Sequence, residues 1–134
     1  MIPSPCAAIS DGSERPSYAG AYGGDLDQKD AGQGSRVYLP VLVEDALVFF
    51  GDPHAAIGDG IITGTGIECR MNVRARVTLL KDRVLERPII AQGGAVHFVG
   101  VGLSVEEATE DAARRPSTSR SRAPASIGRR RTCC

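Results

Sequence analysis

Short apolar runs with a two-residue alternation, each cut off by glycine, proline or a charged pair, limit this chain more than any other feature. They recur at the spacing of strands, not of helices. Asn72–Leu80 is the cleanest: Val73, Ala75, Val77 and Leu79 point one way, and Arg74, Arg76 and Thr78 the other. That pattern predicts a half-buried antiparallel strand. Upstream, Val37, Leu39, Val41 and Val43 alternate with Tyr38, Pro40 and Leu42, a strand apolar on both faces with Pro40 at an edge or irregularity. Glu44-Asp45 turns the chain into a strand over Ala46–Phe50, and Ile61–Cys69 reads as another. Lys81-Asp82-Arg83 reads as a hairpin connection to Val84–Ile90, and Gln92-Gly93-Gly94 as a turn into Ala95–Val101. Strands in such succession predict a mainly β, sandwich-like fold and not βαβ units.

One helix is expected. Ser104-Val105-Glu106-Glu107 is a capping box, and Glu106, Glu107, Glu110 and Asp111 place negative charge where the helix dipole favours it. The helix should continue through Ala113 and stop at Arg115-Pro116. Residues 1–35 are poor in large apolar groups and read as loop. The organisation expected is a loop segment over residues 1–22, a domain over 23–113 and a disordered tail over 114–134.

Formal charge is zero but divided. Residues 1–113 carry nine Lys and Arg against sixteen Asp and Glu, while residues 114–134 carry seven Arg and no acid. A basic, aperiodic tail reads as disordered, or as an arm for nucleic acid or membrane. A third reading is out-of-frame translation beginning near Ala113, since Arg, Ser, Pro and Ala break a well-capped helix. An acidic body with no Trp and few aromatics is unlike a nucleic-acid binder. No apolar run is long enough to span a membrane, and Met1–Cys6 lacks the pattern of a secretory leader. Cys6, Cys69, Cys133 and Cys134 form no CxxC pair, so a reducing, cytoplasmic setting is expected.

The chemistry concentrates in Gly51–Gly60, where Asp52, His54 and Asp59 fall within eight residues between glycines. Asp and His together can ligate a metal or move protons. If Ala46–Phe50 stays extended into this stretch, Asp52 and His54 share a face. Downstream, Gly64, Gly66 and Glu68 share a face of Ile61–Cys69, leaving it bare for a close approach. Asp25, Asp27 and Asp30 lack the Gly and Glu that an EF-hand calcium loop requires. His97 reads as a buried, hydrogen-bonded histidine and Cys69 as a small core residue.

Four ordered blocks carry a resemblance. Gly23-Gly24-Asp25-Leu26-Asp27, Tyr38-Leu39-Pro40-Val41, Gly51-Asp52-Pro53-His54-Ala55-Ala56-Ile57-Gly58-Asp59-Gly60 and Gly64-Thr65-Gly66-Ile67-Glu68 resemble the acetamidase/formamidase family. Its corresponding blocks run approximately GGNMD, LYLPV, GDxHAxQGDGE and GTAIE. The likeness covers Tyr22 to about Ala113 and suggests the later portion of a longer family pattern. This chain has Asp25 for the family's Asn, Ile57 for its Gln and Ile61 for its Glu.

The resemblance implies hydrolysis of the C–N bond of small linear amides to a carboxylate and ammonia, assisted by a divalent ion. Zinc is the first expectation and calcium the second. By matching positions, the implied catalytic residues are Asp52, His54 and Glu68, and the implied metal ligands Asp27, His54 and Asp59. The implied partner is a small amide, with no nucleic acid or membrane, and a homo-oligomer for the full-length family form. A catalytically silent fragment that still binds metal or a partner is the alternative. Apolar strand surface left exposed would then favour association.

Overall fold

The computed structural model describes residues 4–10, 19–81 and 83–118, of which 4–10 and 115–118 are described as backbone. It is mainly β with one helix, as the alternation predicts. The strands are β1 (Ser4–Ser10), β2 (Gly23–Gly24), β3 (Arg36–Tyr38), β4 (Leu47–Ala56), β5 (Ile67–Glu68), β6 (Ile89–Gln92) and β7 (Ala95–Phe98), followed by α1 (Val105–Thr118). They form a four-stranded sheet in the order β2-β1-β4-β5 and a three-stranded sheet in the order β3-β6-β7. Every pairing is antiparallel.

The N-terminal stretch read as loop contains β1, which pairs with β4 from Ser4 opposite His54 to Ser10 opposite Leu47. Small residues hid it: Ala, Ser and Cys carry little apolar signal, but a central strand still needs a backbone neighbour on each side. The register slips between Ser4 and Cys6, where Pro5 has no N–H to give to the ladder. β4 also runs further than expected. The apolar run ends at Phe50, yet the strand continues through Asp52, Pro53 and His54 to Ala56 because β1 and β5 flank it there.

Other expected strands are shorter. The one beginning at Arg36 ends at Tyr38, two residues before Pro40, so Val41 and Val43 lie outside it. Of Ile61–Cys69 only Ile67 and Glu68 are paired. Val84–Ile90 shifts to Ile89–Gln92, and Ala95–Val101 shortens to Ala95–Phe98. Asn72–Leu80 belongs to no strand among the described residues. Alternation specifies a strand's faces but does not supply its neighbour. The Gly93-Gly94 turn does form as expected: Gln92 pairs with Ala95, and the glycines take φ of 60° and 90°, the hand that a two-residue hairpin requires.

Ile90, on the middle strand of the smaller sheet between Val37 and His97, is the buried apolar residue at the centre of the packing. Among the described residues Pro40, Pro88 and His54 are the other large, fully buried side chains. His97 is not fully buried: it is one-third exposed and faces Asp30 at 3.5 Å.

The helix begins as the capping box specifies. Glu107 N–H donates to the Ser104 hydroxyl (3.2 Å), and the Glu107 carboxylate accepts from Leu103 N–H (2.9 Å), one residue further back than in the standard box. The helix continues to Thr118 and does not stop at Arg115-Pro116. Pro116 lies near its C-terminal end, so the intrahelical bond that its missing N–H removes is one among few remaining. Gly100 and Gly102 let the preceding chain lie against the helix, for a Cβ at either would run into Ala108 backbone. Asp111 then ties the helix back, accepting from Arg87 Nε (3.2 Å) and Val101 N–H (3.1 Å). Asp111→Ala removes two charge-assisted bonds, the part-buried one from Arg87 and the exposed one from Val101, and is expected to lower stability by about 1–3 kcal/mol in chemical denaturation. An unchanged midpoint would show that the helix is held by other contacts.

Candidate metal centre

The site forms where β4 passes between β1 and β5. His54 lies opposite Ser4 on one side and opposite Glu68 on the other. Its side chain is only 1% exposed, although it belongs to the least apolar part of the strand. Gly66 makes that burial possible: a Cβ there would sit 3.1 Å from His54 Nε2 and 3.2 Å from the Ala56 carbonyl. The glycine-bare face read from the sequence is therefore the bed of the imidazole.

Two carboxylates meet this ring. Asp52 Oδ2 lies 3.8 Å from Nε2, and Asp27 Oδ1 lies 3.9 Å from Nδ1. Asp52 comes from the same strand. Asp27 comes from the loop after β2, 27 residues before His54. One donor atom from each of Asp27, Asp52 and His54 falls within 4.8 Å of the others.

Both aspartates hold left-handed backbone, φ 46° at Asp27 and 48° at Asp52. This region is unfavourable for most L-residues and tolerated best by Asn and Asp. At Asp52 it coincides with the register slip in β4, so Asp52 and His54 do not share a face through plain i, i+2 alternation. The slip re-aims the carboxylate, as irregularities in central strands commonly do.

His54 Nδ1 is buried and has no hydrogen-bond partner among the described residues. At 3.9 Å the Asp27 carboxylate is beyond hydrogen-bond reach. Leaving a buried ring nitrogen unpaired costs about 1–3 kcal/mol. Ligands of one zinc ion, each about 2.0–2.2 Å from it in tetrahedral array, lie about 3.4 Å apart. One donor atom each from Asp27, Asp52 and His54 lie within 4.8 Å of one another, a wider spacing that a divalent ion would draw in, and the unpartnered Nδ1 is a ring nitrogen left for such an ion. The donor set of one imidazole and two carboxylates suits zinc better than calcium, which takes oxygen ligands.

Glu68 is directly across from His54, so the two share a face of the β4–β5 pair. The Thr65 hydroxyl is shared between the Gly66 carbonyl (3.0 Å) and Glu68 Oε1 (3.1 Å), which orients that carboxylate. Cys69 N–H donates to the Pro53 carbonyl (3.0 Å) and holds β5 alongside the motif.

Asp59, expected as a ligand, is not brought to this group. Its side chain is 84% exposed and paired with Lys29. Lys29 follows Asp27 by two residues, so this pair links the two loops that flank the centre. Asp30, next along, reaches His97 of the smaller sheet, and Gln92 Nε2 donates to the Gln33 carbonyl. The segment carrying Asp27 is thus held from several sides, which short-range sequence patterns could not reveal. The Asp59 carboxylate holds the Lys29 pKa above 10.5. That contribution is complete below the unfolded lysine value and fades as pH rises through the higher folded one. Asp59→Asn should bring the Lys29 titration, followed by NMR, back toward 10.5; an unmoved titration would mean the pair does not form in solution.

A strand-borne histidine seated on glycine, with two carboxylates beside it, is a donor set that could hold a divalent ion. The comparisons agree with the motifs that compose it. The model of the acetamidase/formamidase family matches residues 7–126. The formamidase of Methylophilus methylotrophus is 36% identical over 97 residues, covering 65% of this chain and 24% of that protein. A crystal structure described as an acetamidase/formamidase from the thermophile Thermoanaerobacter tengcongensis superposes with a TM-score of 0.76 at 26% identity, covering 88% of this chain and 40% of that one. The chain belongs to the acetamidase/formamidase family. The family match begins before Tyr22 and reaches beyond Ala113, wider at both ends than the motif blocks. This chain spans about a quarter of the curated relative.

Proposed function

We propose that this site hydrolyses small linear amides such as formamide and acetamide to a carboxylate and ammonia, with Asp27, Asp52 and His54 holding a divalent ion, zinc first. The observation that carries the reading is the buried His54 ring, with Asp27 at its unpartnered Nδ1 and Asp52 at its Nε2, within motifs of this family. An ion held there would polarise the amide carbonyl and make a neighbouring water more acidic.

The remaining chemistry falls to side chains. Glu68, oriented by Thr65, is placed to take the proton of the attacking water and to return it to the departing nitrogen. Water oxygen bonds to the carbonyl carbon, the C–N bond breaks, and ammonia leaves with the returned proton. His54 is closed off from solvent, while the Asp52 side chain is 41% exposed, so substrate approaches from the Asp52 side. Asp59 in this scheme stabilises the loop pair and does not ligate.

A silent but metal-binding chain is the second reading. Ile61 stands where the family pattern has a carboxylate, and Glu68 alone is left to shuttle the proton. Ammonia release from formamide and acetamide, with and without added zinc, separates the two. Zinc-dependent release that Glu68→Gln reduces by about 100-fold or more supports the first reading. Folded protein that binds zinc but releases no ammonia supports the second.

A further inference from the structure

Asp52 and His54 are fixed by β4, but Asp27 belongs to no strand. Its φ of 46° is left-handed. A residue other than glycine stays in that region only where its surroundings over-determine it. Those surroundings are residues 28–33, a strap tied to elements of both sheets.

The strap is folded on itself. Asp30 N–H donates to Gln28 Oε1 (3.1 Å), and Ala31 N–H to the Gln28 carbonyl (3.0 Å). Ser35 N–H donates to the Gly32 carbonyl (3.1 Å). Turns closed in this way move as one piece, so whatever fixes Lys29 and Asp30 also fixes Asp27.

Lys29 and Asp30 are neighbours of opposite charge whose anchors lie on different sheets. Lys29 pairs with Asp59, on the connection from β4 to β5. Asp30 Oδ2 lies 3.5 Å from His97 Nε2, on β7. The Gln33 carbonyl adds a third tie, accepting from Gln92 Nε2 at the end of β6 (3.4 Å). An exposed ion pair holds little by itself, because solvent screens it and two side chains must be ordered. Ties from two directions on one closed turn restrict it more than any of them alone.

We propose that Asp59 and His97 are positioning residues of the metal centre, holding residues 28–33 from different sheets so that the Asp27 carboxylate stays at His54 Nδ1. This rests on the reading of Asp27, Asp52 and His54 as metal ligands. Asp59 then serves the ion through Lys29 and not as a ligand. The smaller sheet, which supplies none of the three donors, sets part of the affinity through His97.

Zinc competition titration, with NMR of the His54 ring in the metal-free chain, tests it. Lys29→Met, Asp59→Asn and His97→Gln should each lower zinc affinity by about 2–5-fold, the range of an exposed ion pair. Lys29→Met combined with Asp59→Asn should cost no more than either alone, since both break one tie. Asp59→Asn combined with His97→Gln breaks two ties and should cost about ten-fold. The reversed pair, Lys29→Glu with Asp59→Lys, should restore the affinity. In the metal-free variants the His54 ring signals should move as Asp27 leaves Nδ1, and the reversed pair should return them. Asp111→Ala, which acts on the helix, should change neither readout.

A reversed pair as poor as Asp59→Asn would make Asp59 a ligand and overturn the proposal. Unmoved His54 signals overturn it too, as do equal losses in Asp111→Ala, which would report general destabilisation. A chain that binds no zinc, but whose His54 signals follow the strap variants, supports the hold on Asp27 and overturns only the metal reading.

Discussion

His54→Ala is expected to remove zinc binding, lowering affinity by at least about 100-fold in calorimetric titration. Losing an outer partner of a metal ligand already costs about 10–100-fold, and the loss of a ligand itself should exceed that. The structure adds a second signature. Because Nδ1 is buried without a partner, the metal-free protein carries an unsatisfied group that the variant no longer has. Metal-free stability should therefore fall much less than for an ordinary buried side chain truncated to alanine. The zinc-induced rise in Tm, by contrast, should vanish. For the unaltered chain, zinc at one hundred times its Kd should stabilise by about 2.7 kcal/mol. A variant that still shows this rise would place the ion elsewhere and remove the ground for the proposed chemistry.

Gly66→Ala is expected to have the largest effect for the smallest change. The added methyl would meet the His54 ring and the Ala56 carbonyl. Backbone cannot yield cheaply, and His54 is closed in, so the ring must move. Overpacking of this kind costs about 1–3 kcal/mol. A displaced imidazole no longer faces both carboxylates, so zinc affinity should fall by about 10–100-fold. Gly60→Ala is the matched control. Nothing lies within 4 Å of its would-be methyl, and stability should stay unchanged or rise slightly. Equal behaviour of the two variants would show that Gly66 is not the bed of the ring.

The contrast between these glycines marks what was legible beforehand. Glycines on one face of Ile61–Cys69 announced a close approach, and His54 is what approaches. The motif blocks named Asp27, Asp52, His54 and Glu68, and the fold sets the first three together and the fourth across the strand. Asp59 was named by the same logic and lies on Lys29, because closeness in sequence does not make closeness in space when a loop turns outward. Strand β1 could not be read, since its small residues carry no periodic apolar signal. Asn72–Leu80, the clearest strand by pattern, fails the opposite way: its alternation is strong, but among the described residues no strand pairs with it.

Residue order alone determined the mainly β character, the capped helix, the Gly93-Gly94 hairpin and the identity of the ionisable residues. All depend on local backbone preference and on side-chain chemistry, which act over a few positions. Tertiary structure alone decided that Asp27 crosses to His54, that β4 continues through its own motif, and that Nδ1 is left buried and unpaired. Those outcomes require chain segments remote in sequence to meet, and the free energy that brings them together belongs to no single segment.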